Sequence, residues 1–193
     1  MVGAILAGGA GRRIGGAKAS RELAGRPLVA YPVAALEPSC ARLALVAKRG
    51  DELPELPGVE LWNGEPPEPR HPATGIAYAI ERAGERVMVC ACDMPFLTDR
   101  ECRELVKAAL SAPRARAVVA VSDGTLQPVL GVYAPSATAT LRQAAASGAP
   151  LVAAVEALAP ALVDLPAQAV RSVDTREELA AAERELRQLR SST

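Results

Sequence analysis

Residues Leu6–Lys18 read LAGGAGRRIGGAK and follow the apolar run Val2–Leu6. The segment holds five glycines, two arginines and one lysine. Glycine has no Cβ and accepts positive φ, so successive amide N–H groups turn toward an anion. Arg12, Arg13 and Lys18 supply the countercharge, and phosphate is the anion this composition suits. The spacing is not that of a P-loop, which ends in Gly-Lys-Ser/Thr. It departs from Gly-x-Gly-x-x-Gly as well: Gly9 and Gly11 are followed next by Gly15. No acidic residue stands about 20 residues on to hold a ribose, as a dinucleotide fold requires. A plain tight connection after a strand is the simpler use of such a turn.

Two carboxylates are placed to work with a phosphate loop. Asp93 leaves the carboxyl end of the apolar run Val87–Ala91 in the turn Cys92-Asp93-Met94-Pro95-Phe96. Asp174 stands between Val170–Val173 and a capped helix. Mg²⁺ prefers oxygen ligands and takes one or two carboxylates together with substrate phosphates. Asp93 is therefore the expected metal ligand and Asp174 the second candidate, with capping of the next helix as the alternative use of each. The four cysteines, Cys40, Cys90, Cys92 and Cys102, have no metal-site spacing and read as buried thiols in a reducing compartment. His71 is the single histidine and lies in a proline-rich stretch, so no nucleophile–base pair is indicated.

Together these motifs resemble the nucleotidyltransferases that make nucleotide-activated compounds, and within them the molybdenum cofactor guanylyltransferases and their cytidylyltransferase relatives. The resemblance is carried by Leu6–Lys18, by Thr74-Gly75-Ile76, by Cys92–Phe96 and by Val173-Asp174-Thr175-Arg176-Glu177-Glu178-Leu179, in that order along nearly the whole chain. It implies transfer of GMP from GTP to the phosphate of molybdopterin, with Mg²⁺ as cofactor and release of pyrophosphate. Arg13, Lys18 and Asp93 would be catalytic. The nucleotide would be held by Leu6, Ala7, Gly8, Gly9, Gly11, Arg13, Lys18, Lys48, Asn63, Gly75 and Asp93. Arg70 and His71 are candidate acceptor contacts.

The chain departs from the guanylyltransferase pattern in places. Lys48 stands where Asn is usual, the loop before Lys18 is one residue short, and Gly-Pro-Leu-Ala-Gly is replaced by His71-Pro72-Ala73-Thr74-Gly75. The region that should give an acidic residue after the third strand reads Trp62-Asn63-Gly64-Glu65. A cytidylyl- or guanylyltransferase for another phosphorylated small molecule, and a nucleotide-binding accessory protein without catalysis, are the alternatives. The presence of Lys18 and Asp93 speaks against the second.

The elements that must position these residues alternate between strand and helix. Strands are expected at Val2–Ala7, Leu43–Ala47, Val59–Trp62, Val87–Ala91, Ala117–Val121, Val129–Tyr133, Leu162–Leu165 and Val170–Val173. Helices are expected at Leu28–Leu36, Thr74–Ala83, Thr98–Leu110, Ser136–Ala146, Leu151–Leu158 and Arg176–Arg190. Thr98 with Glu101, and Thr175 with Glu178, have capping-box spacing. Asn63–Pro72 carries four prolines and reads as a loop over the site. The alternation predicts an α/β three-layer sandwich with a mainly parallel sheet, whose ligands bind beyond the carboxyl strand ends.

At 193 residues the chain is expected to be one domain. Lys and Arg number 22, as do Asp and Glu, so no basic excess suggests nucleic acid. No run approaches the roughly 20 apolar residues of a membrane span. The amino-terminal run lacks a charged flank and reads as a strand rather than a signal peptide, which makes the cytoplasm the expected location.

Overall fold

The computed structural model describes residues 1–8 and 18–191, the last three of these by backbone only. The glycine-loop residues Gly9, Gly11 and Arg13 lie outside the described residues. β1 (Val2–Leu6) lies inside the sheet and pairs in parallel with β4 (Arg42–Lys48) on one side and β6 (Val87–Ala91) on the other. β5 (Val59–Glu65) adds in parallel outside β4. Beyond β6, β8 (Thr125–Tyr133) runs antiparallel, β7 (Ala117–Ser122) forms a hairpin with it, and β9 (Ala161–Asp164) pairs in parallel with β7. The order is β5-β4-β1-β6-β8-β7-β9. A separate two-stranded hairpin joins β2 (Glu22–Leu23) to β3 (Arg26–Pro27).

Side-chain alternation along the buried strands feeds two cores, because successive residues of a strand face opposite sides. Ile5, Met88, Cys90, Val118 and Ala120 face one layer, with Leu36 of α1 (Ala30–Leu36) and Cys102, Leu105 and Ala109 of α3 (Asp99–Ser111). Ala4, Val87, Val89, Ala117 and Val119 face the other. That layer holds Ile76 and Ile80 of α2 (Pro72–Ala83), Leu141 of α4 (Thr138–Ser147) and Val155 of α5 (Leu151–Glu156). A short α6 (Ala167–Val170) leads to the long carboxyl-terminal α7 (Arg176–Ser191). A smaller core of Leu23, Leu28, Phe96, Val173 and Ala182, with Leu179 and Leu186 against it, fastens α7 beside the β2–β3 hairpin. Among the described residues no helix is long and apolar enough to cross a membrane.

Three expectations need correction. Val170–Val173 is not a strand: Val170 ends α6, and no regular element covers 171–174. Its short apolar run does not alternate over a sheet face but seats Val173 in the small core. β5 runs on to Glu65, so the irregular segment begins at Pro66, where proline removes the ladder donor. α2 starts at Pro72, with His71 as its cap through Nδ1, which accepts from the Ala73 N–H at 3.1 Å. Thr74 lies inside that helix and donates its hydroxyl to the Pro69 carbonyl at 2.9 Å. The capping box of α3 at Thr98 and Glu101 has the expected form.

Candidate active site

β1 and β6 lie side by side and point the same way, so the loop leaving Leu6 and the turn leaving Ala91 emerge on one edge of the sheet. Their proximity continues past the strands, where the Cys92 N–H donates to the Leu6 carbonyl at 3.2 Å. Asp93 is thereby held beside the end of the glycine loop. Lys18 opens a short 3₁₀ turn, Lys18–Ser20, fixed from below by the Val29 N–H on the Ala19 carbonyl at 3.1 Å.

The Lys18 ammonium joins the two acidic candidates. Nζ donates to Asp93 Oδ2 and, at 2.6 Å, to Asp174 Oδ1. Three residues scattered along the chain thus meet at one point. The backbone carries Asp174 there, because the Val173 N–H donates to the Asp93 carbonyl at 2.9 Å. Burial works against the charge on Lys18, but Asp93 and then Asp174 outweigh it and raise its pKa. Lys18 is therefore a fixed positive charge. Glu178 fixes the start of α7 by accepting from the N–H groups of Asp174 and Thr175 at 2.7 and 2.9 Å. Those bonds hold its carboxyl below the usual range.

Asp93 Oδ1 is buried and finds no hydrogen-bond partner among the described residues. An orphaned carboxylate oxygen costs free energy and calls for an ion or a donor. With Asp174 it offers hard oxygen ligands on one side of the loop, the donor set that Mg²⁺ takes alongside phosphates. No group of three or more metal-binding side chains occurs among the described residues, so the rest of a coordination shell would come from substrate and water.

A second centre lies across β1 and β4. Glu65 ends β5 with its side chain 8% exposed and stands 3.6 Å from Lys48 Nζ. Lys48 is anchored in turn on the carbonyls of Pro66 and Pro67, at 3.2 and 2.9 Å. Burial pushes the Glu65 carboxyl up, and Lys48 opposes the shift only in part. The carboxylate faces two glycines. A Cβ on Gly8 would come within 3.0 Å of Glu65 Oε2 and 3.3 Å of Asp51 Oδ2, and one on Gly75 within 3.4 Å of Glu65 Oε2. The buried Glu65 carboxylate thus packs between Gly8, at the end of β1, and Gly75 of α2, with Asp51 beside Gly8. Asn63, by contrast, is exposed on the same strand. The sequence reading named Asn63 and passed over Glu65; alternation does not select Glu65, since the buried positions Trp62 and Glu65 stand three apart, opposite the register shift between Val46 and Lys48.

His71 serves as a helix cap, and Arg70 is exposed and paired with Glu68 at 3.0 Å. The cysteines are unpaired, and burial drives Cys92 up to about 12 and Cys40 to about 11, which makes them inert. A groove of about 540 Å³ beside the β4–β5 crossover, lined by Leu45, Leu53, Leu56, Val59 and Leu61 among others, includes none of the residues named for the site.

The sequence from residue 3 to 164 matches the model of the MobA-like NTP transferase domain. The chain belongs to the MobA-like NTP transferase family. It is a nucleotidyltransferase. A probable molybdenum cofactor guanylyltransferase of Mycobacterium tuberculosis is 36% identical over 137 residues, 69% of this chain and 67% of that one. The molybdenum cofactor guanylyltransferase of a Bradyrhizobium species is 32% identical over 152 residues, covering 75% and 71%. The fold of this MobA-like protein also superimposes on molybdopterin-guanine dinucleotide biosynthesis protein A from Archaeoglobus fulgidus, with TM-score 0.72 and 23% identity over 97% of this chain and all of that one. It superimposes as well on 2-C-methyl-D-erythritol 4-phosphate cytidylyltransferase from Thermus thermophilus, with TM-score 0.71 and 20% identity over 95% and 98%.

Proposed function

We propose that this MobA-like enzyme transfers GMP from GTP to the phosphate of molybdopterin and releases pyrophosphate, with Mg²⁺ as its cation. The acceptor is drawn from the names of the relatives. The nucleotide is supported by the buried Glu65 carboxylate, which faces Gly8 and Gly75. Guanine presents an N1–H and an N2–H₂ side by side, and the Glu65 carboxylate accepts from both. Cytosine offers only its N4–H₂ as a donor. A buried acceptor without donors therefore favours guanine, and Asp51 adds to the preference for a donor-rich edge.

The chemistry asks for alignment and charge rather than acid–base groups. A phosphate monoester has its second pKa at about 6, so the acceptor is a dianionic nucleophile at neutral pH. It attacks the α-phosphorus of GTP; a new P–O bond forms and the bond to the pyrophosphate oxygen breaks. Lys18 places its ammonium against the charge that grows on the phosphates. Arg13 would add a second positive charge from the loop. Asp93 and Asp174 would hold the Mg²⁺, which when bound neutralises triphosphate oxygens. His71 has no part in proton transfer, because its Nδ1 is committed to the cap of α2.

The experiment is a panel of GTP, CTP, ATP and UTP, each with and without Mg²⁺, read by calorimetry and thermal shift. A ligand at roughly 100 times its Kd stabilises the native state by about 2.7 kcal/mol. GTP with Mg²⁺ should bind most tightly and release pyrophosphate only when molybdopterin is added. Equal or tighter binding of CTP would move the assignment to cytidylyl transfer.

A further inference from the structure

Asp174 lies beyond the segment that matches the family model, on a stretch of chain without regular structure between α6 and α7. Something must hold so exposed a stretch against the site, and the structure supplies a specific contact. The Arg171 guanidinium lies 4.0 Å from the centroid of the Phe96 ring. Phe96 is the only phenylalanine of the chain, stands three residues after Asp93 in the same turn, and is buried. The other side of Arg171 pairs with Glu185 of α7, Nη2 to Oε2 at 2.5 Å, and Gln168 donates to the same carboxylate. The hydrogen bond from Arg171, and then that from Gln168, hold Glu185 below the usual carboxylate range. One guanidinium therefore ties three pieces together: the Asp93 turn, the Asp174 arm and the terminal helix.

We infer that Arg171, Phe96 and Glu185 form a clasp of positioning residues that sets the separation of Asp93 and Asp174, and through it the rate of transfer. The inference rests on the proposed role of Asp174 as second carboxylate of the site. Its action is directional. The proposed base-reading residues stand on β1, β4, β5 and α2, whereas Arg171 engages Phe96 and Glu185, so nucleotide affinity depends little on the clasp. The transferring phosphate lies by Asp93 and Asp174, so turnover does. A residue that only stabilised the fold would not separate the two.

The test is Arg171→Ala with GTP varied at saturating acceptor, together with hydrogen exchange of the nucleotide-free protein. Turnover should fall about tenfold, the equivalent of one partly desolvated cation–π contact. The KM for GTP should stay within about twofold. Amides of residues 172–175 should exchange faster before any nucleotide is added. Arg171→Lys, which keeps the charge over the ring, should recover part of the turnover. Phe96→Leu, which keeps apolar volume in the small core but removes the π face, should reproduce Arg171→Ala, while Phe96→Tyr should match the parent. Where Arg171→Ala lowers the stability of the whole domain, the Phe96 pair decides. Unchanged exchange in the arm, parental turnover in Phe96→Leu, or a KM for GTP that rises as far as kcat falls would overturn the clasp. Parental turnover in Asp174→Asn would instead overturn the role given to Asp174, and the exchange measurement would then judge the holding of the arm by itself.

Discussion

Replacing Glu65 by glutamine tests its base-reading role with almost no change of shape. In the proposed complex both carboxylate oxygens accept from guanine, whereas glutamine would keep one acceptor and turn an NH₂ toward a guanine donor. A hydrogen bond to a charged group is worth about 1.5–3 kcal/mol. Glu65 is already buried in the free protein, with its side chain 8% exposed, so little new desolvation offsets the gain when guanine binds. Losing one such bond, with a donor–donor conflict added, amounts to about 3 kcal/mol, or a GTP affinity lower by roughly 100-fold at about 1.4 kcal/mol per tenfold. CTP, which offers a single donor group, should lose far less, so the preference between the two should collapse. The assay is calorimetric titration of each nucleotide in the presence of Mg²⁺. Stability gives an independent reading. Glu65 has its pKa raised above the ordinary 4.5 by burial, so the folded state binds its proton more tightly than the unfolded state does. Its charge then penalises folding at neutral pH, and the penalty fades as pH falls through the raised pKa toward 4.5. Glu65→Gln should accordingly unfold at the same or a higher temperature than the parent at pH 7, and the difference should close in acid. Lys48 keeps its two carbonyl partners and is not orphaned by the change. A variant that binds GTP as the parent does, with the preference over CTP intact, refutes Glu65 as the base-reading residue.

Asp93→Asn keeps the size of the side chain and removes its charge; pyrophosphate release should drop at least about 100-fold with thermal unfolding little changed, and near-parental turnover in a folded variant would exclude the residue from the mechanism. Asp174→Asn should cost less in the same assay, since the amide oxygen stays in place. Gly131→Ala would set a Cβ 2.5 Å from the Val118 carbonyl oxygen and 3.0 Å from Val119 Cα, backbone atoms of β7 that cannot turn aside. It should destabilise by about 1–3 kcal/mol and lower the Tm by about 2–4 °C for each kcal/mol, measured by calorimetry. Thr98→Ala removes the side-chain half of a capping box and should cost about 1 kcal/mol in denaturant unfolding.

What could be read in the sequence was what local chemistry dictates. The apolar run before Asp93 can only be a strand buried on both faces, and Thr98 with Glu101 announces a helix start by spacing alone. The convergence of Lys18 with Asp93 was approachable because parallel strands bring their following loops to one edge; Asp174 follows no strand and was reached only through the family resemblance. The misreadings share another cause. Val170–Val173 has strand-like residues, but they pack as single anchors into the small core under α7, a tertiary preference that no local pattern records. His71 took the cap expected of Thr74 because Pro72 is favoured in the first turn, which moves the helix start forward. Glu65 was hidden by a proline-rich neighbourhood that disguised the end of β5. The clasp at Arg171 had no signal in spacing at all, since Phe96 and Glu185 are brought to it only by the docking of a distant helix.

The bond from Lys18 to Asp174 spans 156 positions of the chain. Loop-closure entropy grows only as the logarithm of length, and once the sheet has formed the free path between the two is far shorter than the contour. The cost of joining them is therefore modest, but the order is fixed: during synthesis Lys18 emerges before Asp93, and Asp93 before Asp174. A nascent chain, or one cut short before residue 174, lacks its second carboxylate whatever its sheet has achieved.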